Sequence, residues 1–414
     1  VCWQTSAREA SGTSDVTSDG GGLMLRVTTL HASSAAATAA YYAKYLSDAP
    51  GEVPGRWSGR QADRFGLAGD VTVDRLELLL SGRDPQVGTL LGRELVDRYT
   101  VSGREVRAVS GFDATFSAPK SLSVLWALTG DHRLLHAPDT AVAAALVHLE
   151  RFGSTTRIRS NGGRLHPDTQ GLTIAWFRQT TSRADDPQIH THAVVSSKVQ
   201  TADGRWLALD GRYLKRHQRM LGGLYQSVLR AELTAMLGVE WRPIVNGQAE
   251  IAGIPVELLE RFSKRSRDID HALAVKLDEF RQREGRPPSR WERAALTREA
   301  SADTRRRKSG HGPADLTATW RAEAAEIGWT ATQLWDTIRQ PDVDRVPDDE
   351  TGSLRVGDVV EALSAQHSTW GRADVVRAIC DIQRPVPGVD GRRWAALVEQ
   401  AADRVVEACV DLDP

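Results

Sequence analysis

Short apolar and β-branched runs alternate with longer amphipathic ones over the first 245 residues, a pattern that predicts mixed α and β structure. The strand-like runs are residues 25–30 (LRVTTL), 107–117 (RAVSGFDATFS), 171–181 and 188–199. The polar turn SRADDP joins the last two and predicts a hairpin. Helices are predicted over 34–46, with Ser33 or Ser34 as N-cap, and over APKSLSVLWAL, capped by Ser117. Two more are predicted over 139–152 and 212–237, while PGEVPGRWSG breaks regular structure. Hairpins mixed with helices predict an α+β layer fold.

Beyond this region the pattern turns to polar, arginine-rich helices, a helical region spanning 246–338. A Pro- and Asp-rich stretch at 339–353 reads as a linker, and 354–414 as a small helical unit. At the other end, residues 1–23 have no apolar core and read as a disordered leader rather than a signal peptide, with Met24 as a natural start.

Composition narrows the picture. A chain of 414 residues exceeds one ordinary core, so two or three domains are expected. The net charge of −1 means that any nucleic-acid surface must come from local clustering. Cys2, Cys380 and Cys409 are scattered and odd in number, which suits a reducing cytoplasm and no disulfide framework. No apolar run is long enough to span a bilayer, so no membrane insertion is expected. No phosphate-binding loop of the G-x-x-x-x-G-K-[ST] type occurs.

The candidate chemistry starts at His190 and His192, two apart on a predicted strand and therefore on one face. A turn centred near residue 184 or 185 sets Gln179 directly opposite His190. The three side chains then form a candidate metal site, with Asp113 available to orient one imidazole through its other nitrogen. An amide oxygen is a neutral, hard donor and favours Mg²⁺ or Mn²⁺ over Zn²⁺. Exposed or hydrogen-bonded strand histidines without metal are the plainer reading of the same motif. Tyr41, Tyr42 and Tyr45 lie on one predicted helix, with Tyr41 and Tyr45 on a shared face. Such tyrosines either pack or, beside a metal or base, supply a nucleophile.

Ser117, Lys120 and Ser121 lie at a predicted helix N-terminus, which reads equally as a phosphate seat or an ordinary capped helix. Arg178 alternates to the face opposite Gln179, so its expected role is structural. Arg183 sits at the hairpin turn and is a phosphate-contact candidate. The run Arg305, Arg306, Arg307 and Lys308 is a phosphate-contact candidate.

Three separated stretches, AAYYAKYL…PGRWSGRQADRFGL, GFDATFSAPKSLSVLWAL and FRQTTSRADDPQIHTHAVVSSKV, resemble the MobF conjugative relaxases (the TrwC/TraI family) of the histidine–hydrophobic–histidine endonuclease superfamily. The resemblance covers roughly residues 24–330. It implies a palm, in which an antiparallel β-sheet at 24–245 carries a divalent metal, with helical fingers at 246–338 closing over single-stranded DNA. It also implies strand-specific nicking at a transfer origin, with Tyr41 as nucleophile, a 5′-phosphotyrosine intermediate and later rejoining. Accessory relaxosome and coupling proteins would be partners, and 354–414 would begin a helicase region.

Asp113 matches the family's motif aspartate. Gln179 departs from the usual third histidine, since FRQTTSR stands where FRHETSR is expected. With no second tyrosine pair downstream, only Tyr42 and Tyr45 remain as further candidates. The rival readings are a rolling-circle replication initiator of the same superfamily, a non-catalytic DNA-binding protein with a degenerate metal site, and a metal-dependent hydrolase using bound water.

Overall fold

The computed structural model describes residues 24–46, 51–160, 163–306, 309–339 and 356–410. The predicted leader, most of the predicted linker, Arg307, Lys308 and the side chain of Tyr45 lie outside the described residues.

Five antiparallel strands form the central sheet: β1 (Leu25–His31), β2 (Arg56–Ser58), β3 (Val109–Ser117), β4 (Ile174–Thr181) and β5 (Pro187–Ser196), in the order β1-β3-β5-β4-β2. The β4–β5 hairpin pairs Gln179 with His190 and Phe177 with His192, and its register slips beyond Gln179, so that Thr181 meets Pro187. On the other side of β5, Thr115 pairs with His192 and Ser117 with His190. Because side chains alternate, Asp113, Thr115, Ser117, Phe177, Gln179, His190 and His192 share one face. Phe112, Ala114, Phe116, Ile174, Ile189, Ala193 and Val195 take the other and are buried.

The first face is covered by α1 (Ala35–Ala40), the turn that follows it and α2 (Val73–Leu80), whose Leu76 and Leu80 pack with Phe177 and Val194. The second face joins a larger core with α3 (Lys120–Thr129), α4 (Arg133–Gly153) and α5 (Gln218–Leu237). Two C-terminal helices, α9 (Arg372–Ile382) and α10 (Gly391–Glu407), pack on that core. Trp394 is buried there and donates to Ser227 Oγ at 2.8 Å. Buried Arg230 donates to the carbonyls of Gly247 and Cys380 at 2.9 and 2.8 Å. Between α5 and α9 in sequence lie α6 (Lys264–Glu284), α7 (Arg290–Asp303) and α8 (Pro313–Ala325). The α6–α7 pair is a helical hairpin, with Ser289 and Glu292 forming a capping box at the start of α7.

Several elements differ from the sequence pattern. The stretch expected to break structure holds edge strand β2, which starts just after Pro54 and Gly55, as edge strands permit. A Cβ on Gly55 would lie 2.2 Å from the Phe177 ring, so only glycine lets the chain pass there. Helix 34–46 divides into a 3₁₀ turn, α1 and a π-helix over Tyr41–Leu46. Helix 212–237 divides at His217, whose backbone (φ −101°, ψ 19°) leaves the helical region.

Candidate active site

The π-helix displaces the tyrosine pair from regular α geometry, so the shared face predicted for Tyr41 and Tyr45 rests on a winding that is absent here. Single π-turns inside helices often mark functional positions. The rings of Tyr41 and Tyr42 meet edge to face, 5.2 Å between centroids. Tyr42 is buried, stacks on Phe177 at 5.5 Å and donates its hydroxyl to Asp113 Oδ2 at 2.6 Å. Burial first, and the Asp113 carboxylate second, push the Tyr42 phenol far above its ordinary pKa. Its hydroxyl is therefore held protonated on Asp113, a poor start for a nucleophile. Tyr41 is half-buried, and Arg183 Nη2 donates towards its hydroxyl at 3.5 Å.

Asp113 joins the tyrosine to the histidines. His192 Nδ1 lies 3.0 and 2.9 Å from its two oxygens. A carboxylate only accepts, so Nδ1 carries the proton and Nε2 the lone pair. Thr115 Oγ1 lies 3.1 Å from the same Nδ1 and braces the ring. His190 Nδ1 donates to the Gln188 carbonyl at 2.8 Å, which sets the same tautomer. The two imidazoles stand 5.3 Å apart at 71°, and the buried Gln179 is the register partner of His190. Among the described residues, no group of three His, Cys, Asp or Glu side chains suits a metal ion. Two Nε2 lone pairs and one amide oxygen on a single face nevertheless make a three-donor set, with Asp113 in the orienting position metal-bound histidines require.

The phosphate seat at α3 is corrected by the structure. Helix α3 begins after Pro119, and Ser117 does not cap it. Ser117 ends β3 opposite His190 and accepts through its carbonyl from Gln226. The first amides of α3 are taken: Lys120 N and Ser121 N donate to Glu250 at 3.3 and 2.7 Å. Lys120 Nζ donates to the Pro187 carbonyl at 2.9 Å, and burial pulls its pKa down to about 8. This lysine secures the start of β5. Arg178 lies on the far face, as its alternation predicts, and pairs with Asp139 at 2.5 Å.

Arg183, Arg305 and Arg306 do converge. Arg183 Nη1 donates to the Arg306 carbonyl at 3.2 Å, bringing the hairpin turn and the end of α7 together beside Tyr41. Exposed Arg305 and Arg306 line an open pocket with Arg267 and His271. Sequence reasoning missed Thr115, Asp186, Glu250 and Arg265. Thr115 was within reach of the period-two pattern, since it shares the face of Asp113. Glu250 and Arg265 act through contacts 130 and 39 positions away, which no local pattern signals.

Residues 26–327 match the TrwC relaxase family. The multifunctional conjugation protein TraI of Escherichia coli strain K12 is 31% identical over 382 residues, covering 88% of this chain. The chain spans 20% of that relative's length. Among solved structures, the conjugative relaxase TrwC in complex with oriT DNA, copper-bound, is similar at 30% identity and a TM-score of 0.61. Its metal-free complex with oriT DNA is similar at 31% identity and a TM-score of 0.60. Each alignment covers 74% of this chain and 100% of that one.

Proposed function

The chain belongs to the TrwC relaxase family, and from that premise we propose that it is a conjugative relaxase. In this reading it nicks single-stranded DNA at a transfer origin by transesterification and rejoins the strand after transfer. The observation that carries the reading is the convergence, on one sheet face, of a half-buried phenol beside a guanidinium with two oriented imidazoles and an amide.

Tyr41 is the nucleophile. Its phenol oxygen bonds to phosphorus as the bond to the 3′ oxygen breaks, and the phenol proton ends on that 3′ hydroxyl. One ester replaces another, so the linkage energy is retained and the reverse reaction rejoins the strand. Arg183 favours the phenolate and the charge growing on the phosphoryl oxygens. Tyr42 and Thr115 hold Asp113 and His192 in register, and Asp113 fixes the His192 tautomer. His190, His192 and Gln179 would hold a divalent cation, Mg²⁺ or Mn²⁺ by the hardness of the amide, which when bound draws charge from a non-bridging phosphate oxygen. The basic end of α7 receives the DNA backbone.

A cytoplasmic location and partnership with accessory relaxosome and coupling proteins belong to the same proposal. No described helix is long and apolar enough to cross a membrane.

The test is incubation of the protein with oligonucleotides spanning its candidate origin and Mn²⁺, followed by mass spectrometry. The expected product is a 5′-phosphoryl oligonucleotide on the Tyr41 peptide, with a free 3′ hydroxyl on the other fragment. Binding without an adduct would identify a non-catalytic binder, and cleavage without an adduct a hydrolase using water.

A further inference from the structure

The hairpin turn that carries Arg183 is gripped by the helices that follow the sheet. Asp186, almost fully buried, accepts from Lys264 N at 2.8 Å and lies 3.3 Å from Lys264 Nζ, so the turn fixes the start of α6. Asp185, at φ 58°, accepts through its carbonyl from Trp320 of α8 at 2.7 Å. One residue into α6, Arg265 donates to the carbonyls of Thr304 and Ser301 at 2.9 and 3.1 Å. These belong to the last turn and C-cap of α7, where carbonyls lack intrahelical donors. A guanidinium there satisfies two of them and favours the negative end of the helix.

The contact decides where the chain goes next. Arg305 and Arg306 follow the cap, and Arg306 is held again by α6 through Asp268 at 3.0 Å. The Arg306 carbonyl then accepts from Arg183, whose other nitrogen points to Tyr41. The path is closed: turn to α6, α6 to the end of α7, α7 back to the turn, and from there to the phenol. Four guanidiniums crowd this corner, and burial together with Arg183, Arg305 and Arg306 keeps Arg265 below its ordinary pKa. Main-chain oxygens and the Asp268 carboxylate accept from these guanidiniums and offset their repulsion.

We infer that Arg265 is a positioning residue, which seats the end of α7 so that the Arg306 carbonyl holds Arg183 against Tyr41. This deepens the proposed function and rests on it. Arg265 acts through these carbonyls, with one N–H of each Nη given to Thr304 and Ser301.

The experiment is single-turnover cleavage of an origin oligonucleotide by Arg265→Ala, Arg265→Lys, Arg183→Ala and the double alanine variant. Arg265→Ala is expected to slow cleavage about 10- to 100-fold, the scale of a misplaced reacting group. Its oligonucleotide affinity should change far less, and the double variant should lose no more than Arg183→Ala alone. Arg265→Lys, which keeps a charged donor and the helix cap, should recover part of the rate. In 3-fluorotyrosine protein, the Tyr41 ¹⁹F signal, assigned with Tyr41→Phe, should move to the same position in Arg183→Ala and Arg265→Ala.

Additive losses, lost affinity at an unchanged rate, or an unmoved Tyr41 signal in Arg265→Ala would each overturn the inference. If wild type forms no adduct, the relaxase reading fails, while the fluorine spectra still decide whether Arg265 seats Arg183.

Discussion

The two faces of the central sheet are built from alternate residues of the same strands, yet they do different work. The far face is a continuous apolar core, from Phe116 and Ile189 through α4 and α5 to Trp394. The near face has a small apolar patch, formed by Leu76, Leu80, Phe177 and Val194, next to a row of polar groups that brace one another. Only the pleat separates stability from chemistry. A one-residue slip of β5 would bury His190 and His192 in the core and turn Ile189 and Ala193 towards Tyr42, so the apolar face also fixes the register of the polar one.

If the faces are separable, substitutions should sort by face. The largest effect is expected at Tyr41→Phe: the covalent adduct disappears from the mass spectrum, while oligonucleotide affinity and the urea midpoint stay near wild type. An adduct that persists would move the nucleophile elsewhere. Next is Trp394→Ala on the far face, which should cost about 3–5 kcal/mol in urea denaturation. Whatever protein remains folded should keep its adduct-forming rate. Asp113→Asn removes the charge and replaces one of the two oxygens that accept from His192 and Tyr42 by a donor, and calorimetry should show divalent-metal affinity falling about 10- to 100-fold. Gln179→His replaces an amide oxygen with an imidazole and should tighten binding of Zn²⁺ or Ni²⁺; no gain would remove Gln179 from the donor set.

The smallest effect concerns pH and belongs to the far side. His217, at the break before α5, has its pKa lowered from 6.5 to about 4, chiefly by burial and then by Arg216. The folded state thus resists a proton that the unfolded chain accepts. Its contribution to stability is complete above pH 6.5, falls as the pH drops from 6.5 towards 4, and levels off below. His217→Gln should flatten the thermal midpoint across that window; an unchanged slope would place the acid sensitivity in another group.

How much of this was legible in the sequence depends on the range of each contact. The pairing of Gln179 with His190 followed from strand periodicity and a short polar turn, and it is present. The link from Asp113 to an imidazole followed from polar residues on a strand, and His192 is the ring it orients. The two readings of the helix start at Lys120 stayed open because Glu250, whose carboxylate occupies that N-terminus, is far away in sequence. Edge strand β2 was hidden by flanking glycine and proline, whose signal for a turn outweighs three residues of extended chain. The π-helix was invisible because AAYYAKYL suits ordinary winding, and only the surrounding packing selects the wider turn.

That wider turn has a consequence for the segment that carries the tyrosine pair. Its extra residue sets the angular phase between the two aromatic hydroxyls, sending one inward to a carboxylate and the other outward to a guanidinium. The winding of this segment, and not its composition alone, therefore decides where each hydroxyl points.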